Sequence, residues 1–394
     1  MRILFLSRWF PYPANNGSKL RIYHLLAGLA KEHELTLLSF YEPDEPAPDE
    51  SGLSKYCQQI ETVPWKAYAP KSWRAVRGFF STWPRSLLDT FSLDMVEKIQ
   101  EALAQNSYDL VIASQVDMAI YANFMQGLPA IFEEAEVGIL YEKYVLSKSP
   151  WERLRHGLTW MKHRRFLNSI LRHYRACSVV SERERQLLAS AGIDEEKIEV
   201  IPNCVDLQGY ANIQETPVPR SLIFTGSFRY QPNYEAMVWF LEQVYERLQD
   251  KFPDVQLTIT GDHAGLPLPT REGVHLSGYV DDIRPLVARS WCCVVPLQTG
   301  GGTRLKILEA MALGMPVVAT SKGSEGLDVQ NGVHLLLADD PVAYAEAVAC
   351  ILADAGLRER IVCKARQLVS AQYDWAGVMP RLLNLVRRAS AVEL

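Results

Sequence analysis

"GGGTRLKILEAMALGMPVVAT", residues 300–320, joins a glycine run, an Arg-x-Lys pair, a segment carrying Glu309 and an apolar run ending at Thr320. The preceding "CCVVPL" at 292–297 reads as a strand and "QTGGG" as the loop at its carboxyl end. "TRLKILEAMALG" then reads as a helix that stops at Gly314, before Pro316, and "PVVAT" as the next strand. Strand, loop, helix and strand in this order make the repeating unit of a parallel sheet. On the helix, Leu305, Leu308 and Ala312 are expected to face the core, with Glu309 beside them near the loop. A glycine loop entering a helix leaves backbone N–H groups unpaired and aims the positive end of the helix dipole outward, which suits a phosphate. Arg304 and Lys306 would add mobile positive charge there. The same residues also read as a tight turn with two solvated cations, and Glu309 as an i, i+3 partner of Lys306.

The pattern repeats along the chain. In the first half "RILFLS", "LTLLSF", "DLVIAS", "PAIFEE", "ACSVVS" and "IEVIPN" are short and apolar, with longer helical segments between them. In the second half "SLIFTGS", "VQLTITGD", "VHLSGY", "CCVVPL", "PVVAT" and "HLLLAD" do the same. A chain of 394 residues exceeds what one hydrophobic core serves, so two doubly wound α/β domains are expected. The polar, Pro-containing "NIQETPVPRS" at 212–221 is the candidate linker. Open sheets of this kind bind ligands beyond the carboxyl ends of their strands, where strand order reverses. Two such domains would face each other across a cleft.

With 48% hydrophobic and 22% charged residues and a formal net charge of -5, the composition is that of an ordinary globular protein, and global charge names no partner. Seven cysteines without a CxxC pair fit reduced, buried thiols and a cytoplasmic setting. The opening "MRILFLSRWFPYP" has too short an apolar run for a signal peptide and reads as a first strand. No apolar stretch approaches the roughly 20 residues that cross a bilayer, so any membrane contact is expected to be peripheral.

Residues 300–320, followed by "GSEGL" and "NGVHLLLADDP", resemble the nucleotide-sugar site of the retaining family-4 glycosyltransferases with the GT-B fold. The resemblance covers most of the chain. "RILFLSRWFPYPANNGSKLRIYHLLAGLA" is similar to the family's first strand and glycine loop, "VIPNCVD" to the entry into the second domain, and "FTGSFRYQPN" to that domain's first strand and turn. "TITGDH" and "LSGYVDD" resemble the strand ends around the base, and "YDWAGVMPRLLNLVRR" the last helix, which crosses back to the first domain. The implied division is 1–205, with 375–394 packing back on it, and 206–374 as the donor domain.

Carried over by position, Glu309 matches the Glu that holds the ribose hydroxyls, and the amides of Gly301, Gly302, Thr303, Arg304 and Leu305 match those touching the diphosphate. Gly226 lies in the turn after the second domain's first strand. Asp262 and Val280 fall where the family contacts the nucleoside. Gly17 falls in the first-domain loop that approaches the phosphates. The resemblance implies a nucleotide-sugar donor, retention of configuration, and neither metal nor cofactor; no DxD dyad stands at a strand end, and "ADDP" at 338–341 is read as structural.

Three departures stand out. The first Glu of the family's pair is Gly301 here. The family's phosphate-binding Arg and Lys are replaced by Ser227 and Pro232, leaving Arg229, Arg304 and Lys306 as the cations to take over. Where the family often has a His beside the reacting sugar, "IFEEAEVG" offers Glu133, Glu134 and Glu136. Glu134 and Glu136 are therefore catalytic candidates with Arg229 and Lys306; the acidic cluster also reads as one favoured by a helix N-terminus.

Two first-domain segments are basic and aromatic. Residues 64–86 hold five cations and no acid, and 148–175 is long, basic and rich in Trp, Phe and Leu. These read either as a peripheral contact with an anionic membrane or as packing helices with solvated Arg. No nucleic-acid motif accompanies the charge. The expected activity is transfer of a sugar to a glycan, lipid-linked or other hydroxyl acceptor in bacterial surface polysaccharide or glycolipid assembly, in the cytoplasm or at the inner face of the cytoplasmic membrane. The alternatives are a sugar phosphorylase or epimerase on the same fold, and a non-catalytic nucleotide-sugar-binding scaffold.

Overall fold

A computed structural model describes residues 1–147, 149–302 and 304–391. The chain divides into two compact units, Met1–Pro202 joined by the stretch that begins at Met379, and Asn203–Val378. Residues 212–221 therefore lie inside the second unit and are not the linker expected from their composition. Contacts on their amino-terminal side explain this: Val205 bridges Asp374, and the turn of helix Leu207–Tyr210 packs on the second unit's core.

In the first unit seven strands are hydrogen-bonded in parallel: β1 Arg2–Ser7, β2 Glu34–Tyr41, β3 Gln59–Pro64, β4 Leu110–Ser114, β5 Ala130–Glu133, β6 Ala176–Val179 and β7 Ile198–Val200. Their order is β3-β2-β1-β4-β5-β6-β7. Central β1 is buried from Ile3 to Ser7, as a strand covered on both faces must be. β3 was not among the strands read from the sequence. "QIETVP" pairs only with β2 and buries Val63 alone, so its apolar content is too low to announce a strand.

The second unit has β8 Ser221–Thr225, β9 Gln256–Thr260, β10 Val274–Gly278, β11 Cys292–Val295, β12 Val317–Ala319 and β13 Leu336–Leu337, again all parallel. Their order is β10-β9-β8-β11-β12-β13. Both sheets thus reverse direction beside their first strand, between β1 and β4 and between β8 and β11. The helix Leu305–Ala312 covers one face of the second sheet with Ile307, Leu308, Ala310 and Met311. Leu305 and Ala312, expected in the core, are only partly buried, because the stripe 307, 308, 311 takes the i, i+1, i+4 face. The helix Trp375–Ser390 spans the division at Met379; from there on Leu382, Leu385, Val386 and Ala389 are buried in the first unit. Its Arg388 donates to Glu199 Oε2 at 2.8 Å.

One buried ion pair holds the first unit's reversal point. Arg21, on helix Gly17–Leu29, donates from Nε to Glu133 Oε1 at 2.7 Å and from Nη1 to the Pro202 carbonyl at 3.2 Å. Ser114 Oγ donates to the other Glu133 oxygen at 2.6 Å. Both charged side chains are 1% exposed, so removing one leaves the other desolvated and uncompensated. Arg21→Met is expected to destabilise the protein by about 3–5 kcal/mol. Adding Glu133→Gln should recover part of that loss, as read from urea unfolding midpoints.

Candidate active site

The site residues predicted in the second unit lie beyond the carboxyl ends of β8, β9, β10 and β11, with Gly226, the glycine loop and Lys306 at the reversal point between β8 and β11. β8 ends at Thr225, and Gly226 follows with φ +149. A Cβ there would stand 2.6 Å from Asn233 Nδ2 and 2.9 Å from Lys306 Nζ, so this turn requires glycine. Lys306 reaches the turn from the first residues of helix Leu305–Ala312. Its Nζ donates to Asn233 Oδ1 at 2.9 Å and lies 4.4 Å from the centroid of the Phe224 ring. Asn233 in turn donates to the Ser227 carbonyl at 2.8 Å, so one buried amide fixes both the β8 turn and the lysine. Burial, reinforced by Arg304, pushes the Lys306 ammonium down to about 7, with Cys293 and Glu309 acting the other way.

The glycine loop after β11 is built on tight contacts. Gly300 has φ +97, and a Cβ on it would meet the Tyr230 hydroxyl at 2.3 Å. That hydroxyl accepts from the Gly301 amide at 3.1 Å and faces the Gly301 carbonyl at 3.4 Å. Tyr230 thus stands against the backbone of the position where the resemblance has its first Glu. Arg304 is not mobile charge, as the sequence led us to expect. It is buried and donates to the carbonyls of Gly301 at 2.7 Å, Gly300 at 2.8 Å and Lys322 at 3.3 Å, which makes it the strut of the loop. Gly302, with φ +83, has nothing within 4 Å of a built Cβ, so the loop opens there. Thr303 lies outside the described residues. Leu305 opens the helix, the Arg304 side chain does not cap that end, and no acid occupies its first turn, so among the described residues of this helix none offsets the positive end of its dipole.

Glu309 does not pair with Lys306. It accepts a hydrogen bond from the Tyr210 hydroxyl at 3.1 Å, and burial raises its carboxyl above the usual range. Tyr210 ends helix Leu207–Tyr210, 99 positions before Glu309 in the chain, and no local signal in "DLQGY" marks it. Arg229 and Asp262, predicted separately, are hydrogen-bonded to each other as an ion pair, and Asp262 also accepts from the Ala264 amide at 2.8 Å. Those bonds hold the Asp262 carboxyl below its ordinary value. Val280 is half-buried just beyond β10. Asp339 accepts from the Ser321 amide and hydroxyl, both at 2.7 Å, and Asp340 caps helix Pro341–Ala353 through the Val342 and Ala343 amides.

In the first unit the reversal point is also irregular. Gln115 after β4 has φ +70 and Glu134 after β5 has φ +59, both rare for side chains other than glycine. Gln115 Nε2 donates to Glu134 Oε2 at 2.8 Å, and the Glu134 amide donates to Ser178 Oγ at 3.1 Å. Glu134 Oε1 lies 4.0 Å from Arg21 Nε. Burial and the adjacent Glu133 push the Glu134 carboxyl up to about 7. Glu133 is the buried partner of Arg21, Glu136 is exposed, and Gly17 begins its helix after Asn16, which caps the Lys19 amide at 3.0 Å. Gln115, Ser178, Arg21, Tyr210, Tyr230 and Asn233 were not read as site residues, because each acts on a partner distant in sequence.

The chain matches two family models, Glycosyltransferase Family 4 over residues 15–208 and Glycosyl transferases group 1 over residues 219–354. It is 20% identical over 390 residues, 95% of this chain and 96% of the relative, to an uncharacterized 44.6 kDa protein in the cps region of Klebsiella pneumoniae. It is 28% identical over 197 residues to a phosphatidyl-myo-inositol mannosyltransferase of Mycobacterium leprae, spanning 48% of this chain and half of that protein. Among solved structures it resembles Anabaena HepE in complex with UDP and glucose, with a TM-score of 0.67, 16% identity and 98% and 99% of the two chains covered. Sucrose-phosphate synthase from Thermosynechococcus elongatus gives a TM-score of 0.68 at 18% identity over 98% and 99% of the chains. The two parallel-sheet domains and these likenesses make the fold GT-B.

The half-buried Lys306 yields a stability test. Its folded value of about 7 lies below the ordinary 10.5, so between those pH values the unfolded chain binds a proton that the folded one does not. The lysine's cost to folding is therefore full below pH 7 and fades as pH rises toward 10.5. Lys306→Met is expected to raise Tm over wild type most at pH 6, with the difference shrinking by pH 9. A constant difference would show that the ammonium is not desolvated.

Proposed function

We propose that this chain, which is a glycosyltransferase of the family-4 and group-1 type along both of its halves, moves a sugar from a nucleotide-sugar donor to a glycan, lipid-linked or other hydroxyl acceptor with retention of configuration. The observation that carries the reading is the arrangement at the β8 and β11 ends: Glu309 oriented by Tyr210, a glycine loop braced from below by Arg304, and Lys306 delivered to the Gly226 turn by Asn233. A carboxylate held in this way suits a ribose diol. The loop amides, the helix start at Leu305 and the Lys306 ammonium suit a diphosphate, whose negative charge grows as the sugar leaves.

In this reading the diphosphate is stabilised by this chain's own cations and amides, without a metal or other cofactor. Lys306 is the primary charge and Arg229 a secondary one that first exchanges its Asp262 partner for phosphate. Asp262 and Val280 flank the nucleoside, and Gly17 stays the first-unit position that the resemblance assigns to phosphate contact. Glu134, which titrates near neutrality, takes or returns the acceptor proton or binds sugar hydroxyls, with Gln115 and Ser178 fixing its pose; Glu136 lies close in sequence as its exposed neighbour. The likeness to a protein in a cps region supports a role in surface polysaccharide assembly; in this reading the chain works in the cytoplasm or at the inner face of the cytoplasmic membrane.

Two measurements test the reading. A thermal-shift series with nucleoside diphosphates and their sugar conjugates is expected to raise Tm for one base only, by the same amount with and without EDTA. Glu309→Ala is expected to lower turnover by about a hundredfold or more with the circular dichroism spectrum unchanged. Near-wild-type turnover in that variant would remove Glu309 from the donor site, and the absence of any shift would favour a scaffold that no longer binds a sugar nucleotide.

A further inference from the structure

We infer that Arg284 is a positioning residue for the ribose carboxylate, acting with Asp282 to hold the short helix Leu207–Tyr210 and, through Tyr210, the pose of Glu309. The chemistry it governs is selection of a ribonucleotide over its 2′-deoxy counterpart. This deepens the donor-site reading given above and rests on it. Glu309 Oε1 accepts from the Tyr210 hydroxyl at 3.1 Å. Burial, then the adjacent Glu309, pushes that hydroxyl well above its ordinary value, so it keeps its proton and donates it in this bond. Fixing one carboxylate oxygen restricts where the second can accept from a ribose hydroxyl.

The helix that carries Tyr210 is a single turn, too short to hold itself, and the Asp206 side chain does not cap it. Its support comes from a distant segment. Arg284 Nη1 donates to the Gly209 carbonyl at 2.7 Å, and its guanidinium lies 5.8 Å from the centroid of the Tyr210 ring. Arg284 is fixed in turn by Asp282: Nε donates to Oδ1 at 2.8 Å, Nη2 to Oδ2 at 2.9 Å, and the Arg284 amide to Oδ1 at 3.0 Å. A two-pronged pair of this kind sets direction as well as distance. The two side chains are 37% and 43% exposed, so the pair adds little to stability, and its effect is geometric.

Arg284 makes no hydrogen bond to Glu309 among the described residues, so it acts through Tyr210. Leu207 and Tyr210 pack on the same core as Ile283 and Leu286, which seats both segments on one base. Val280 stands four residues before Arg284, so a single side chain ties the nucleoside edge of the site to its ribose edge. Charge works to the same end. Burial raises the Glu309 carboxyl, and the Tyr210 hydroxyl, the Lys306 ammonium and the Arg284 guanidinium oppose that rise. A lysine could supply the charge at 284, but it lacks the planar fork that meets both Asp282 oxygens and the Gly209 carbonyl at once.

Calorimetric titration of the full chain with UDP, GDP and ADP, each beside its 2′-deoxy counterpart, tests this. For the base that binds, the wild type is expected to hold the ribonucleotide about tenfold or more tightly, the worth of a hydrogen bond to a charged acceptor. Arg284→Gln, Arg284→Lys and Tyr210→Phe should each cut that ratio to about threefold or less, with the deoxyribonucleotide Kd within about twofold of wild type. Arg284 is partly exposed, so its variants are expected to keep the wild-type circular dichroism spectrum. An unchanged ratio in the Arg284 variants would overturn the inference, and so would an equal weakening of both nucleotides, which marks a general loosening of the unit. A full ratio in Arg284→Lys alone would assign the effect to charge and remove the positioning role. A wild-type protein that binds no nucleotide, or does not tell the two sugars apart, would overturn the donor reading and this inference together.

Discussion

Every strand in both sheets is parallel, and the rest of the structure follows from that constraint. A parallel strand needs a crossover to reach its neighbour, so all carboxyl ends emerge on one edge, and the backbone there is free of ladder bonds. Irregular conformations collect at that edge. Gln115 and Glu134 adopt positive φ directly after β4 and β5, and Gly226 and Gly300 do so after β8 and β11. Two neighbouring non-glycine residues in that region persist only if their surroundings over-determine them. Ser178, Arg21 and the Gln115–Glu134 bond supply that determination.

Three cations in the second unit look equivalent in the sequence, and the fold gives each a different electrostatic state. Arg304 spends its guanidinium on three backbone carbonyls and so sets the shape of the glycine loop. Arg229 is exposed and compensated by Asp262, so its net field is small. Lys306 is held in a low-dielectric site by a neutral amide and an aromatic face, neither of which cancels its charge. A charge desolvated in advance interacts more strongly with an arriving anion, because the desolvation has been met by folding. That division separates a loop-shaping arginine, an arginine paired with a carboxylate and a lysine hydrogen-bonded only to an amide.

The fold was legible because buried parallel strands are near-continuous apolar runs, as in "RILFLS" and "CCVVPL". β3 escaped because an edge strand can be polar on both faces. The donor-side residues Glu309, Lys306 and Gly226 were legible because they crowd into two short motifs. Their partners were not: Tyr210 lies 99 residues from Glu309 and Asn233 lies 73 from Lys306, and only the sheet topology brings them together. The first unit's carboxylates were ambiguous for the same reason. Glu133 and Glu134 are adjacent in sequence, yet one completes a buried ion pair and the other turns out of the strand on a positive φ.

The aromatic helix shows where composition stops and packing begins. Trp151 and Trp160 lie nine residues apart in the same basic segment, and both read equally well as core or as surface. A separation of nine residues is half a helical turn from full register, so the two rings must point to opposite sides. The tyrosines of helix Gly138–Val145 take one side, since Tyr141 meets Trp160 and Tyr144 closes on Gly157. Trp151, Leu154, Leu158 and Met161 are thereby committed to solvent, and the Lys162 bonds to the 78–79 carbonyls extend that commitment to Phe79 and Phe80. The segment is therefore core on one face and surface on the other: one side of the helix builds the core, and building it turns the other side outward.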